Sequence, residues 1–228
     1  MCGRYTVRSI LPVVELFGVP PLPEFPPRFN VAPTQDVPVV RSLRTDGEQV
    51  ARRMDLLHWG LVPSWADDPS IGNRMINARA ETACDKPAFR TAMSRRRCLV
   101  PADGFYEWKK LEKGKRPFMF RMKGDRPFAF AGLWETWRRG DVRIDSFTIL
   151  TTAANDVVAP VHDRMPVIIP PSEFARWLDP SIKSDAITDL LKPYPASEME
   201  TIPVTRHVNS PANDDPRCCE CDLSEPAE

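Results

Sequence analysis

The chain begins MCGRYT, and its second residue, Cys2, combines a reactive side chain with a reactive position. If Met1 is removed, Cys2 becomes the N-terminal residue and carries a free α-amine next to its thiol. The amine titrates at about 7.7–8.0 and the thiol at about 8.5, so both are partly nucleophilic at neutral pH. The amine can condense with an aldehyde to an imine, and the sulfur can then close a five-membered thiazolidine. An internal cysteine cannot do this, because its nitrogen is an amide. The alternative is a functionless second-position cysteine at a disordered end.

Two further segments pair a hydrogen-bonding side chain with an arginine two residues later. The segment INARAET contains Asn77 and Arg79, and the segment VHDRMP contains His162 and Arg164. In an extended chain, side chains at i and i+2 point to the same face. An arginine beside a small polar group suits the binding of a phosphate next to a reaction centre, because its guanidinium forms a rigid fork. The alternative is two surface stretches that form salt bridges.

A carboxylate and two tryptophans complete the candidate residues. Glu107 lies between Tyr106 and Trp108, and burial among aromatic rings would raise its pKa toward the range useful for proton transfer. An exposed glutamate on a strand is the alternative. Trp59 and Trp65 in HWGLVPSWA could stack on a nucleobase, although a core position is the commoner fate of tryptophan.

The cysteines near the C-terminus do not have the spacing of a zinc module. Cys218, Cys219 and Cys221 form CCxC rather than paired CxxC, with His207 upstream. We therefore predict no metal site. The sequence also lacks a glycine-rich phosphate loop, HExxH and GxSxG, so no cofactor is predicted.

Composition favours a globular chain with many fixed turns. Hydrophobic residues make up 42% of 228 residues, and 25 prolines stand against ten glycines. The formal charge is zero, but residues 1–208 contain 30 basic and 25 acidic side chains, which is compatible with nucleic acid without requiring it. The sequence has no secretory h-region and no apolar run of about 20 residues. The expected location is therefore the cytoplasm, with six reduced cysteines.

Strand-like runs separated by turn signals dominate the secondary-structure pattern. VPVVRSLRTDGEQVARR predicts one hairpin, and RPFMFRMKGDRPFAFAGLWE predicts a second around residues 123–125. DSFTILTTAAN and MPVIIP are typical of core strands, and the helical patches are short: 13–17, 86–95, 172–178 and 184–191. Tight turns favour antiparallel pairing and hence an α+β fold. Residues 209–228 form an acidic, cysteine-containing tail that we expect to be partly disordered.

Seven short motifs in this chain occur in the order seen in one family. Together they resemble the SOS response-associated peptidase (SRAP) family of abasic-site processing proteins: MCGRYT, FNVAPTQ, WGLVPSWA, INARAET, RCLVPADGFYEW, LTTAAN and VHDRMPVII. The likeness runs from residue 2 to about residue 215. It implies one catalytic and DNA-binding domain over residues 2–208, with a curved, antiparallel, barrel-like sheet and short peripheral helices.

The resemblance implies a covalent reaction with damaged DNA. Such proteins lose Met1, and Cys2 forms a thiazolidine crosslink with the aldehyde of an abasic site in single-stranded DNA. By motif, Asn77 would position the Cys2 amine and the sugar, and Glu107 would move protons. His162 would act on the sugar oxygen and assist reversal of the crosslink.

The resemblance also implies how the DNA is held. Arg79 and Arg164 would bind the flanking phosphates, and Trp65 with the NVAPT loop, including Asn30 and Pro33, would shape the channel. The expected partner is single-stranded DNA with abasic sites, bound by a monomer that associates with the nucleoid when it acts on DNA and has no membrane contact.

Three other interpretations stay open at this point. Glutamine amidotransferases with an N-terminal nucleophile also begin Met-Cys-Gly, although that class would not explain HDRMP or GFYEW. A noncatalytic binder of single strands is another. The family name implies a peptidase that removes its own leading methionine, which general aminopeptidase trimming explains equally well.

Overall fold

The computed structural model of the chain describes residues 2–20, 22, 25–44 and 50–222. Strands dominate these residues. In chain order they are β1 (Tyr5–Val7), β2 (Arg28–Val31), β3 (Asp36–Arg44), β4 (Val50–Trp59), β5 (Asn77–Arg79), β6 (Arg97–Ala102), β7 (Gly104–Lys110), β8 (Lys115–Met122), β9 (Phe128–Arg139), β10 (Val142–Ala153), β11 (Arg164–Pro166), β12 (Ile168–Ile169) and β13 (Met199–Pro203).

Helices are short and peripheral. The α-helices of the described residues are α1 (Ile10–Phe17), α2 (Arg90–Arg95) and α3 (Phe174–Leu178). The remaining helical turns are 3₁₀ helices: Pro69–Arg74, Ala80–Thr82, Lys123–Asp125, Pro171–Glu173, Ser184–Leu190, Ala196–Glu198, Arg206–Asn209 and Pro216–Cys219. The helix predicted at 184–191 is therefore present as a 3₁₀ helix. None of the helices in the described residues is long and apolar enough to span a bilayer.

Five strands close into a barrel. The order β10-β4-β3-β6-β9 returns to β10, because β9 also pairs with β10 over eight residues. Most pairs are antiparallel, but β10 runs parallel to β4 and to the short β5. The predicted α+β class with a barrel-like sheet is confirmed, and the parallel pairs are the departure from a purely antiparallel barrel.

A second, fully antiparallel sheet packs on the barrel in the order β13-β8-β7-β1-β2. Aromatic rings connect the two sheets. The Tyr5 ring centroid lies 5.2 Å from that of Trp59 and 5.7 Å from that of Phe130, in edge-to-face arrangements. The N-terminus and β7 therefore face the main core, and the predicted core role of Trp59 is confirmed by its full burial.

The two predicted hairpins have different outcomes. The first is confirmed, since β3 and β4 pair from Asp36–His58 to Arg44–Val50, with the turn at 45–49 outside the described residues. The second is wrong, because β8 pairs with β7 and β13, whereas β9 pairs with β6, β10 and β12. Two consecutive residues of positive φ, Gly124 at 73° and Asp125 at 55°, turn the chain from one sheet into the other.

The described part of the C-terminal tail is folded against the second sheet. Asp214 accepts hydrogen bonds from the backbone amides of Phe29 and Asn30 and pairs with Arg28. Val204 and Cys221 form an antiparallel bridge. Of the tail predicted to be partly disordered, residues 209–222 are held by these contacts. Residues 223–228 lie outside the described residues.

Candidate active site

Strand pairing brings Glu107 beside the N-terminus. Tyr5 of β1 pairs with Phe105 of β7, and the Tyr106 amide donates to the Arg4 carbonyl at 3.0 Å. Continued by two residues, this antiparallel register places Glu107 next to the residue that follows Cys2. Cys2 is completely buried and Glu107 is 4% exposed. The alternative of an exposed Glu107 is therefore wrong.

Arg4 fixes the segment between Cys2 and β1. Its Nη1 donates to Asn30 Oδ1 and to the Val208 carbonyl, both at 3.0 Å. The guanidinium carbon also lies 5.9 Å from the centroid of the Trp108 ring, within cation–π range. Arg4 thus connects the reactive end of the chain to the second sheet and to the C-terminal segment.

Burial and charge raise the pKa of both reactive groups. Burial raises the pKa of the Cys2 thiol, and the neighbouring charge of Glu107 raises it further. Burial likewise raises the pKa of Glu107, and the charge of His162 opposes that shift. A carboxyl with a raised pKa can both donate and accept a proton closer to neutral pH than a free glutamate can.

Asn77 reaches the N-terminus from the barrel. Strand β5 runs parallel to β10 with Asn77 opposite Ile149, and Asn77 Nδ2 donates to the Cys2 carbonyl at 2.8 Å. The Oδ1 of the same amide is buried and has no hydrogen-bond partner within the described ranges. A buried oxygen without a hydrogen bond lowers the stability of the fold unless a ligand or another donor supplies that bond.

A close backbone contact fixes the loop that leads to Asn77. Gly60 has φ 141°, and a Cβ built on it would lie 2.7 Å from the Gly72 carbonyl oxygen. The Leu61 amide donates to the Met75 carbonyl at 3.2 Å, and Trp59 Nε1 donates to the Ile76 carbonyl at 2.9 Å. These contacts tie the end of β4 to the start of β5 and so fix the position of Asn77.

His162 and Arg164 form a compact turn before β11. His162 Nδ1 accepts a hydrogen bond from the Arg164 amide at 3.0 Å, and it lies 3.0 Å from the Asp163 carboxylate. The Nδ1 side of the ring is therefore engaged within this turn. The charge of His162 opposes the rise in the pKa of Glu107, so the two side chains interact.

Strand β10 brings the two arginine motifs together. Thr151 lies opposite Arg79 of β5 on one side, and Ala153 lies opposite Arg164 of β11 on the other. The Arg79 side chain is exposed and forms neither a hydrogen bond nor an ion pair with the described residues. Its side chain is thus available to an anion from solution.

Arg164 already has partners. It forms a two-pronged ion pair with Glu81, at 2.6 Å and 2.9 Å, and donates to the Thr151 carbonyl at 2.6 Å. This pairing lowers the pKa of Glu81. A phosphate would have to share or replace Glu81 to bind this guanidinium.

The three residues predicted to shape a channel differ in exposure. Trp65 is 60% exposed on the loop fixed by Gly60, and Pro33 is half-buried in the turn before β3. Asn30 is completely buried, and its Nδ2 contacts the carbonyls of Val208, Ser210 and Asn213 at 3.1, 3.0 and 2.7 Å. The Asn30 amide is therefore used within the fold, and any effect of Asn30 on a DNA channel would act through the loop that it anchors.

Sequence reasoning missed two residues that contact the site. Glu81 lies in INARAET at the next same-face position after Arg79, which was the available signal. Arg4 lies inside MCGRYT, but its partners are distant in sequence. Within the described chain, the group of three ligand side chains close enough for a metal lies in the C-terminal segment and not around Cys2.

Comparison with known proteins agrees with this geometry. A family model described as "SOS response associated peptidase (SRAP)" matches residues 1–211. The chain is similar to the abasic site processing protein YoqW of Bacillus subtilis (strain 168), with 42% identity over 227 residues, 96% of this chain and 99% of that one. It is 31% identical to the abasic site processing protein YedK of Escherichia coli (strain K12), over 93% and 96% of the two chains.

A solved structure shares the fold. The crystal structure of a protein from Bacteroides thetaiotaomicron matches with a TM-score of 0.86 at 25% identity, covering 97% of this chain and 100% of that chain. Family model, relatives and solved structure each cover more than nine tenths of the chain, and the range matched by the family model contains Cys2, Asn77, Glu107 and His162. The chain therefore belongs to the SOS response associated peptidase (SRAP) family.

Proposed function

We propose that this protein processes abasic sites in single-stranded DNA by forming a covalent thiazolidine crosslink through Cys2 after Met1 is removed. The observation that carries the proposal is the contact between Asn77 Nδ2 and the Cys2 carbonyl, with Glu107 buried beside the same residue. The printed names of the relatives, abasic site processing proteins, support the substrate class.

The chemistry is a condensation that releases one water. The Cys2 amine attacks the aldehyde carbon of the ring-opened sugar, and the resulting carbinolamine loses its oxygen and both amine protons as water. The imine that forms is attacked by the Cys2 sulfur, whose proton moves to the nitrogen. Carbon–nitrogen and carbon–sulfur bonds replace the carbonyl, and no oxidant or reductant is needed.

Side chains around Cys2 supply the proton transfers. Burial raises the pKa of Glu107, so this carboxyl is suited to give a proton to the departing hydroxyl and to accept the thiol proton later. The unpartnered Asn77 Oδ1 is an acceptor for the new Cys2 amine. His162, fixed by the hydrogen bond from the Arg164 amide to its Nδ1, would act on the sugar oxygen and on reversal of the crosslink.

A single strand fits the binding groups. Arg79 is free to contact a phosphate, and Arg164 would join it by exchanging Glu81 for a phosphate oxygen. The exposed Trp65 offers a stacking surface that is independent of sequence, with Pro33 in a neighbouring loop. All reacting groups come from one chain, so we propose that the monomer is active.

The test is crosslinking to an oligonucleotide with one abasic site, followed by denaturing electrophoresis. The wild type should give a shifted band. Cys2→Ala should abolish it, Cys2→Ser should leave at most an imine that hydride traps, and Cys84→Ala, at an exposed cysteine, should behave as wild type. A Cys2→Ala variant that crosslinks normally would refute the proposal. Glutaminase activity without crosslinking would instead indicate an amidotransferase.

A further inference from the structure

The C-terminal segment holds a cluster of three different metal-ligand side chains. His207, Asp215 and Cys218 each offer one ligand atom, and these atoms lie within 4.8 Å of one another. His207 Nε2 is 2.9 Å from Asp215 Oδ2, and Cys218 is completely buried. The histidine comes from the 3₁₀ helix Arg206–Asn209 and the cysteine from the 3₁₀ helix Pro216–Cys219. The cluster thus joins two turns that are separate in sequence.

Only one of the three neighbouring cysteines belongs to this cluster. The Cys219 sulfur lies 3.1 Å from the Tyr106 hydroxyl, and Cys221 is exposed on the bridge to Val204. Cys218 is completely buried, so an ion can reach it only through a local opening of this segment. A ligand role requires no such opening once an ion has entered.

We propose that His207, Asp215 and Cys218 form a binding site for a zinc-class divalent cation. One sulfur, one imidazole nitrogen and one carboxylate oxygen are donors that select Zn²⁺ over Mg²⁺ or Ca²⁺, which prefer oxygen alone. Three protein ligands leave the fourth tetrahedral position to water. Coordination replaces the Cys218 S–H bond with a sulfur–metal bond and releases that proton to solvent.

Metal binding requires a small local change at His207. Its Nε2, now directed at Asp215, must present a lone pair, so the ring proton moves to Nδ1. Asn213 Nδ2 lies 3.2 Å from Nδ1 and also donates to the His207 carbonyl at 2.7 Å. The Asn213 side chain would have to move away from Nδ1 to make room for that proton, and a water could then accept it in the manner typical of metal-bound histidine.

The site would fasten the segment that holds the N-terminal region in place. The same segment supplies the Val208, Ser210 and Asn213 carbonyls that bind the Asn30 amide, and Val208 also accepts from Arg4. A cation between the two 3₁₀ turns would therefore stabilise the scaffold behind Cys2 without touching the reaction. Asp215 and Cys218 lie beyond residue 211, the last residue matched by the family model.

Cobalt substitution tests the proposal on the full-length protein. Stoichiometric Co²⁺ added to metal-free wild type should give a thiolate charge-transfer band and the visible bands of a tetrahedral site, and Zn²⁺ should remove them. Cys218→Ser should lose the charge-transfer band and His207→Gln should weaken Co²⁺ binding at least tenfold. The matched control Cys221→Ser, three residues away and exposed, should keep the wild-type spectrum.

Thermal unfolding provides a second readout that does not depend on the spectrum. Zn²⁺ at about 100 times its Kd should raise the wild-type Tm by about 5 to 10 °C, and this increase should vanish in His207→Gln, whose side chain is partly exposed and tolerates replacement. Absence of the Co²⁺ bands in folded wild type, their persistence in Cys218→Ser, or their loss in Cys221→Ser would each overturn the assignment.

Discussion

The hydrogen bond from Asn77 Nδ2 to the Cys2 carbonyl, at 2.8 Å, leads to the most specific prediction about the site. Asn77→Ala removes the donor and leaves the carbonyl of a fully buried residue without it. Leaving a buried polar group unsatisfied costs about 1–3 kcal/mol. It also frees the Cys2 backbone to move relative to Glu107 and the sugar.

This energy converts directly into a rate. If the hydrogen bond holds Cys2 in its reactive position, a loss of about 1–3 kcal/mol slows crosslinking by about five- to 150-fold. A displacement of about 1 Å at a reacting centre has an effect of the same order. The assay is a single-turnover time course of crosslink formation on abasic single-stranded DNA, resolved on denaturing gels.

A control separates position from general damage to the fold. Asn73→Ala makes the same change four residues earlier, at an exposed side chain, and should crosslink at the wild-type rate. Thermal unfolding of both variants reports how much of each remains folded at the assay temperature. A folded Asn77→Ala protein that crosslinks within twofold of wild type would show that Asn77 does not position Cys2.

Three other predictions follow from the same contacts. Glu107→Gln should slow crosslinking about 100-fold or more and remove the part of the pH dependence that Glu107 causes, because this carboxyl gives a proton in its acid form and accepts one in its basic form around its raised pKa; rate profiles from pH 5 to 9 measure this, and an unchanged profile would contradict it. Arg79→Ala should make DNA binding less sensitive to salt, with the slope of log affinity against log salt concentration reduced by about 0.7, the value for one phosphate contact on a single strand. A fluorescence titration at several salt concentrations measures this slope, and a slope equal to that of the wild type would show that Arg79 contacts no phosphate. Asn30→Ala removes the amide that holds the C-terminal segment, so the free energy of unfolding should fall by about 1–3 kcal/mol. Proteolysis after residue 208 should also be faster, and cleavage at the wild-type rate would argue against this role.

Short sequence motifs were sufficient to predict those features that depend on residues close together in the chain. The MCGRYT and GFYEW motifs identified Cys2 and Glu107, and the structure places both residues together. The hairpin of β3 and β4 followed from two alternating runs around one turn. Residue type and short-range alternation carry this information, so no long-range contact was needed to predict it.

The errors arose where the partner is remote. Alternation in β8 and β9 shows which side chains share a face, but it does not specify the neighbouring strand, and the Gly124–Asp125 turn redirects the chain between sheets. NVAPT has the composition of an exposed loop, yet Asn30 is buried because its acceptors lie about 180 residues later. The pair of Glu81 with Arg164 depends on the order β5-β10-β11, which no local pattern reveals.

The stabilising contacts of the C-terminal segment were missed for the same reason. An acidic, turn-rich composition is typical of disorder when such a segment has no partners. Here Asp214 finds two backbone amides and Arg28 on β2, so the negative charge that favoured disorder in the sequence provides the anchor in the fold.

Mass spectrometry of the crosslinked N-terminal peptide tests the central claim most directly. The protein is reacted with abasic single-stranded DNA, digested with nuclease and protease, and sequenced by fragmentation. The account predicts a peptide that begins at Cys2 and carries the sugar remnant, with the loss of one water and both the amine and the sulfur of Cys2 blocked. A peptide that retains Met1, or a sugar attached to a lysine with Cys2 unmodified, would contradict it.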